Sequence, residues 1–454
     1  MLSACSDQSP TEPAGPAAPS PIVAPTYAAA KGVNGESRYL FQFKKAEAKD
    51  FESKVKALGG KVARRNKEIG TVLVTGLTPA AVATLQSRPD LEVVGKDLRA
   101  QFIPPRQQLI KSLVRKPAGT QTSKNDQSGA FFFADFQWNM RQIEAPKAWK
   151  QTPAGKGSKV CMLDTGIDPK HIDLKGRVDV KNSTSFVASE PFIRDLNFHG
   201  TYTASIVSSN GLGVASVAPA ARLCAIKVLD ETGSGDFADV LAGIVYAGVL
   251  QVDAINMSLG ALLDFNDPDQ RALANALQKA VNFAYSQGVV VVASSGNDNL
   301  NLDQSGRIRS IPAQLDHVIS VGATGPINQK KFDRLASYSN YGRTGNDLVA
   351  PGGENIVGIT LDEFVLQDLV VGACSEFVPG CEGGDFYAWA DGTSASAPHV
   401  TGAIAVIESN RGGNQSPTQL ESCLLNGTDN IGAKVFFGAG RIDVAQEAAC
   451  HMTT

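Results

Sequence analysis

Long apolar runs, a large excess of either charge, and histidine are all scarce in this sequence. No apolar stretch approaches the roughly 18–20 residues that a membrane-spanning helix requires. The longest candidates, around 289–294 and 403–407, read as buried core. The 45 acidic and 42 basic residues leave a net charge of −3, which argues against a dedicated nucleic-acid binder and its strong basic excess. Hydrophobic residues at 43% and charged residues at 19% exclude collagen-like and disordered classes and describe a chain able to bury a large core. A length of 454 residues implies two or three domains of about 100–200 residues each. The cysteine count is seven, an awkward number, because exported proteins pair their cysteines and an odd one calls for its own explanation.

Residues 1–30 have the composition of an extended, solvated linker, with Pro10, Pro13, Pro16, Pro19, Pro21 and Pro25 set among Ala, Ser and Thr. Within it, Met1-Leu2-Ser3-Ala4-Cys5 is similar to the end of a bacterial lipoprotein signal, in which the cysteine is lipidated. A full signal carries a positive start and an apolar run of about 7–15 residues. Neither precedes Cys5, so the expectation is a truncated or mis-assigned start. A chance cysteine in a solvated tail is the alternative.

Residues 31–105 form a small unit with its own charge balance. From Lys31 to Arg106 there are 15 basic and 8 acidic residues, against 27 and 37 elsewhere. The stretch 38–43 alternates like a strand, and 46–58 has helical spacing stopped by Gly59-Gly60. Strands are expected at 61–65, 71–74 and 91–94, with a helix opened by Thr78-Pro79 and running to about Ser87. The order β-α-β-β-α-β predicts a small ferredoxin-like α+β domain. Residues 106–135 return to linker composition.

Residues 136–454 alternate short apolar strands (160–163, 223–228, 254–257, 289–293, 318–321) with helices (199–208, 236–250, 269–287, 394–409). Strands that read as continuous apolar runs are covered on both faces, which predicts an α/β fold: a mostly parallel central sheet between helix layers. Three stretches then stand out. Asp164 ends an apolar strand and is followed by Thr165-Gly166, the position where open α/β sheets place functional groups. His199 opens a helix after a long loop, in His199-Gly200-Thr201. Ser394 begins a helix of small residues, Gly392-Thr393-Ser394-Ala395-Ser396-Ala397-Pro398-His399-Val400, and helix N-termini stabilise developing negative charge.

The order Asp, His, Ser and these blocks resemble the signature blocks of the subtilases, the subtilisin-like serine peptidases. The resemblance covers roughly residues 138–450 and extends to Gly213-Val214-Ala215-Ser216-Val217-Ala218-Pro219, Asn256-Met257-Ser258-Leu259-Gly260 and Ser294-Ser295-Gly296-Asn297. It implies a subtilisin-like three-layer fold with a catalytic triad of Asp164, His199 and Ser394 and Asn297 as oxyanion donor. Ser258, Leu259 and Gly260 match a substrate-binding segment. The unit 31–105 is similar to the family's inhibitory propeptide, so a self-processing zymogen is expected, cleaved within 106–135. Its basic charge opposite an acidic catalytic domain implies an electrostatic contribution to docking. Ala261 and Tyr202 depart from the family pattern, where a second glycine and another histidine are usual. The stretch from about Leu361 to Trp389 reads as an insertion, either bordering the cleft or decorating the body.

No cofactor is expected for catalysis. The resemblance implies a structural calcium held by Asp173, Asn210, Leu212 and Val214, with Asp135 as an additional carboxylate, although the loop is about two residues shorter than usual. Among the other histidines, His399 reads as packed, His171 matches a structural position, His317 precedes a strand and His451 lies in the tail. With Cys5 assigned to a sorting signal, six cysteines remain. Cys374 with Cys381 makes a local loop, Cys423 with Cys450 staples the C-terminal segment, and Cys161 and Cys224 are either bonded or buried thiols. The expected partners are protein or peptide substrates and the chain's own propeptide. No nucleic acid is expected, and a membrane only through a lipid on Cys5, in a monomer exported by a bacterium to the periplasm, the envelope or the medium. The alternative function is a catalytically silent binding protein on the same fold.

Overall fold

The computed structural model describes residues 23–32, 34–103, 110–111, 123, 125–355 and 363–450. Cys5, His451, Leu361 and most of the expected processing segment lie outside the described residues.

The N-terminal unit follows its sequence pattern. Strands Arg38–Phe43, Lys61–Asn66, Thr71–Thr75 and Leu91–Lys96 carry helices Phe51–Ala57 and Pro79–Gln86 on one face. Each of the three hydrogen-bonded strand pairs is antiparallel, with Arg38–Phe43 and Thr71–Thr75 in the middle of the sheet. Thr78 caps the second helix by accepting the Ala81 N–H. Phe41, Phe43 and Phe51 fill the small core edge to face.

The larger body is built on a seven-stranded sheet in which every pairing is parallel. Strand Lys159–Asp164 lies inside it, flanked by Arg222–Lys227 and Ala254–Met257, followed by Val290–Ser294 and Val318–Thr324. Helices His199–Val207 and Thr393–Asn410 cover one face, and Phe237–Leu250 and Pro268–Ser286 the other. Among the described residues no helix is long and apolar enough to cross a membrane.

Two linker expectations are corrected. Gln127, Ala130, Phe132 and Phe133 are buried in the body, so the second linker ends before them rather than at 135. At the other end, Ala28–Ala29 forms a strand and Ala30 is fully buried, so the first linker stops short of 30. Apolar side chains explain both: Phe and Tyr among polar neighbours find a surface to cover.

The two parts meet through charge. Arg38 reaches Asp236 at 2.8 Å and Asp239 at 3.1 Å, Arg64 reaches Asp239 at 2.7 Å, and Arg99 pairs with Asp230 and Asp236. The polarity is the expected one, arginines from the N-terminal unit meeting aspartates of the body. Lys279–Glu92 runs the other way.

Candidate active site

Asp164 is the last residue of its strand, and the chain turns at Gly166 with φ +114°. A side chain at Gly166 or Gly200 has no room: a Cβ on Gly200 would lie 2.0 Å from the Gly166 carbonyl oxygen. That approach brings the start of the His199 helix against the end of the Asp164 strand. Asp195 fixes the helix start. Its carboxylate accepts the N–H groups of Asn197 (2.9 Å), Phe198 (3.0 Å) and Thr201 (2.8 Å), together with the Thr165 hydroxyl (2.8 Å). Thr165 in turn accepts the Gly200 N–H at 3.0 Å.

The result is a buried pair. His199 Nδ1 lies 2.8 and 3.0 Å from the two oxygens of Asp164, and Asp164 also accepts the Thr165 N–H at 2.7 Å and the Thr203 hydroxyl at 3.3 Å. Facing a carboxylate, Nδ1 carries the proton, so Nε2 is the basic nitrogen. Nε2 is buried and makes no hydrogen bond among the described residues.

Ser394 sits in the first turn of its helix. Its Oγ donates to the Ser258 carbonyl at 3.1 Å, and its carbonyl accepts the Ser258 hydroxyl at 2.8 Å. Asn256 and Thr401 extend this network. Asn297 is oriented by Thr393, whose N–H (2.9 Å) and hydroxyl (2.8 Å) both donate to Asn297 Oδ1. With its oxygen committed, the amide offers Nδ2 as a donor. Ser394, Asn297, Asp298 and Gly260 line one cavity of about 190 Å³. The structure therefore joins Asp164 to His199, and Ser394 to Ser258, Gly260 and Asn297.

Lys227 escaped the sequence reading. It lies beside Asp164 in strand register, is fully buried, and its ammonium donates to the Thr165 and Arg194 carbonyls and pairs with Glu190 at 2.8 Å. Its one signal in the sequence was a lysine within the apolar run Cys224–Leu229. Asp195 gave no signal, because its role is set by loop geometry.

His171, His317 and His399 have packing and hydrogen-bonding partners away from the His199–Asp164 pair. His399 is buried between Asn139 and the Ala395 carbonyl, and burial pushes its pKa down to about 4. His171 contacts the Phe386 carbonyl, and His317 stacks on Tyr285.

The residues expected to hold calcium do not fit that ion. Calcium needs several oxygens aimed at one point. Here the Asp173 oxygens accept the N–H groups of Leu212 (2.7 Å), Gly213 (2.9 Å) and Val214 (3.0 Å), plus the Tyr387 hydroxyl at 2.8 Å. Asn210 Oδ1 accepts from Arg177, and Asp135 is exposed. The shortened loop has turned its donors, rather than its carbonyls, toward the carboxylate.

The insertion takes the structural alternative. Strands Val370–Cys374 and Phe386–Ala390 form a hairpin against the His199 helix. The departing residue Tyr202 holds it, donating to the Val370 carbonyl at 3.0 Å. Cys374–Cys381 and Cys423–Cys450 are bonded as expected, and Cys161–Cys224 is bonded as well.

The subtilase family model matches residues 155–440. A thermophilic serine proteinase of Bacillus sp. (strain AK1) is 30% identical over 91% of this chain and 87% of its own length. Subtilisin Savinase of Lederbergia lenta is 34% identical over 67% of this chain and 96% of its own. Among solved structures, the epidermin leader peptide processing serine protease of Staphylococcus aureus superposes with a TM-score of 0.74 at 23% identity. That superposition covers 92% of this chain and all of the other, and supports the fold.

Proposed function

The chain belongs to the subtilase family and is a subtilisin-like serine endopeptidase, and we propose that Asp164, His199, Ser394 and Asn297 are the groups with which it hydrolyses peptide bonds. A serine hydroxyl is a poor nucleophile at neutral pH, so His199 Nε2 takes the Ser394 proton as Oγ attacks the scissile carbonyl. The same nitrogen then protonates the leaving amine. Asp164 holds the imidazole tautomer and stabilises its charged form without taking the proton. Attack puts negative charge on the carbonyl oxygen, which Asn297 Nδ2 and the Ser394 N–H receive. Water, activated by His199, releases the acyl group from Ser394.

The observation that carries this reading is the buried Asp164–His199 bond, together with the cavity shared by Ser394 and Asn297. A serine-directed phosphonate is expected to label the processed wild-type enzyme and not Ser394→Ala. Equal labelling of both removes Ser394 from the role, and no labelling of either favours a silent binding protein.

We further propose that residues 31–105 are an inhibitory propeptide. Strand Leu98–Gln101 runs antiparallel to Ser234–Asp236, pairing Ala100 with Gly235, and the Phe102 and Ile103 N–H groups reach the Gly233 carbonyl at 3.1 Å. An extended substrate would pair with this same edge, with Ser258, Leu259 and Gly260 as the second wall. Processing falls within 106–135. Three disulfides support export to an oxidising compartment. A lipid on Cys5 would leave with the propeptide, so mature enzyme that stays membrane-bound overturns that step. The preferred substrate is a protein or peptide, and the working form a monomer.

A further inference from the structure

The strand Leu98–Gln101 has a second neighbour that the propeptide fold does not require. The four-stranded sheet of the N-terminal unit is complete without residues 23–30, yet Ala28–Ala29 pairs antiparallel with the outer edge of Leu98–Gln101, Ala28 opposite Arg99 and Ala29 opposite Leu98. The Ala30 N–H continues the ladder to the Asp97 carbonyl at 2.9 Å. The edge Ser234–Asp236, the strand Leu98–Gln101 and the strand Ala28–Ala29 thus form one three-stranded sheet.

From that sheet the segment crosses to the opposite wall of the cleft. The Tyr27 hydroxyl donates to the Leu262 carbonyl at 2.5 Å, two residues beyond Gly260. Its ring meets Phe237 edge to face at 6.0 Å, the same ring that Phe102 meets at 5.1 Å. The Pro25 carbonyl accepts from Gln270 at 3.3 Å. Pro25 and Tyr27 line the cavity that holds Ser394 and Asn297.

We propose that the surface made by Phe237, Leu262 and the outer edge of Leu98–Gln101 is a docking surface for an extended, tyrosine-bearing segment, and that its occupant is the chain's own segment 25–30, acting as a strap over the filled cleft. The inference rests on the zymogen reading and adds a second inhibitory element to it. A strand lying in a cleft with its outer N–H and C=O groups open is held from one side only. Here those groups are paired, and the pairing strand is itself anchored to the far wall. The cleft strand leaves only when both attachments open, and because the strap is covalently linked, each anchor acts at high effective concentration.

The test uses the full-length chain. Wild type, Tyr27→Phe and Tyr27→Ala are followed for the lag before a chromogenic peptide is hydrolysed, and hydrogen exchange at residues 98–101 is measured in a Ser394→Ala background. Tyr27→Ala is expected to shorten the lag about tenfold and to raise exchange by a similar factor, the size expected from losing one partly buried hydrogen bond and its ring packing. Tyr27→Phe, which keeps the ring, falls between. The processed enzymes all have the same turnover, because the segment has left. Equal lags and equal exchange in wild type and Tyr27→Ala overturn the strap. A full-length wild-type chain active without any lag overturns the zymogen reading, and the strap with it.

Discussion

Arg38 is the central cation of the contact between the N-terminal unit and the catalytic body. Its guanidinium lies 2.8 Å from Asp97, 2.8 Å from Asp236 and 3.1 Å from Asp239, and the residue is 7% exposed. Arg38→Ala leaves three carboxylates facing one another out of water. Removing one partner of a buried pair costs about 3–5 kcal/mol. Because Arg64 and Arg99 still reach Asp239 and Asp236, the lower figure of about 3 kcal/mol applies, or roughly a 100-fold weaker contact. Hydrogen exchange in full-length Ser394→Ala reads this directly, because strands Leu98–Gln101 and Ser234–Asp236 protect each other's amides. Protection is expected to fall about 100-fold in the Arg38→Ala chain. A change below about threefold refutes the argument, because it means that the cluster is solvated and its pairs are worth no more than surface bridges.

The same cluster predicts a pH dependence. Burial, reinforced by Asp239 and Asp236 and opposed by Arg38, pushes Asp97 up to about 7. An undocked aspartate titrates near 4, so the docked form holds the extra proton between these values. Docking stabilisation from Asp97 is therefore full below about pH 4 and is lost progressively as pH rises through about 7. Exchange at residues 98–101 should rise with pH beyond its intrinsic dependence, and Asp97→Asn should flatten that excess.

Asn297→Ala should lower kcat by about 10²–10³ with little change in KM; the magnitude is one known for a subtilisin rather than worked from this structure. Unchanged turnover would remove Asn297 from the site. Chelation should leave the melting temperature unchanged, because the Asp173 oxygens already accept three N–H groups and a hydroxyl; a fall of several degrees would restore the calcium reading. Tyr387→Phe, which deletes one of those donors, should cost about 1 kcal/mol in denaturant unfolding, and no loss would show that the hydroxyl is expendable. Replacing Cys161 and Cys224 together by alanine opens a crosslink spanning 63 residues, for which chain entropy gives about 4 kcal/mol. A loss below about 1 kcal/mol would show that the strand pairing alone constrains the unfolded chain as well as the bond does.

Much of the fold was legible because both units keep local and tertiary preferences aligned. Strand Ala254–Met257 falls where its apolar run puts it, and the helix Pro79–Gln86 starts where the Thr78-Pro79 cap puts it. The Ser394 and Asn297 blocks were legible because each is contiguous. Asp195 and Lys227 were not, since each acts across a gap in sequence: Asp195 through the Thr165 hydroxyl, Lys227 through carbonyls of two other segments. The calcium expectation met a donor set that does not fit it for a related reason. The resemblance matches positions but does not fix whether a loop turns its carbonyls or its N–H groups inward, and Tyr387 arrives from more than 200 positions away.

The hairpin behind the His199 helix gives surface variation a route to the His199 imidazole. The Ser375 hydroxyl donates to the Asp195 carbonyl at 2.7 Å, the Glu376 N–H to Asp168 at 3.0 Å, and the Ala373 N–H to Ser205 at 2.9 Å. Ser375 and Glu376 lie in the loop closed by Cys374–Cys381, and Asp195 holds the start of the helix that begins with His199. Lengthening or resequencing residues 377–384 is therefore expected to shift the His199 imidazole relative to Asp164 while leaving the identities of Asp164, His199 and Ser394 unchanged. Relatives that differ only in this loop would then differ in turnover and pH profile before they differ in substrate choice.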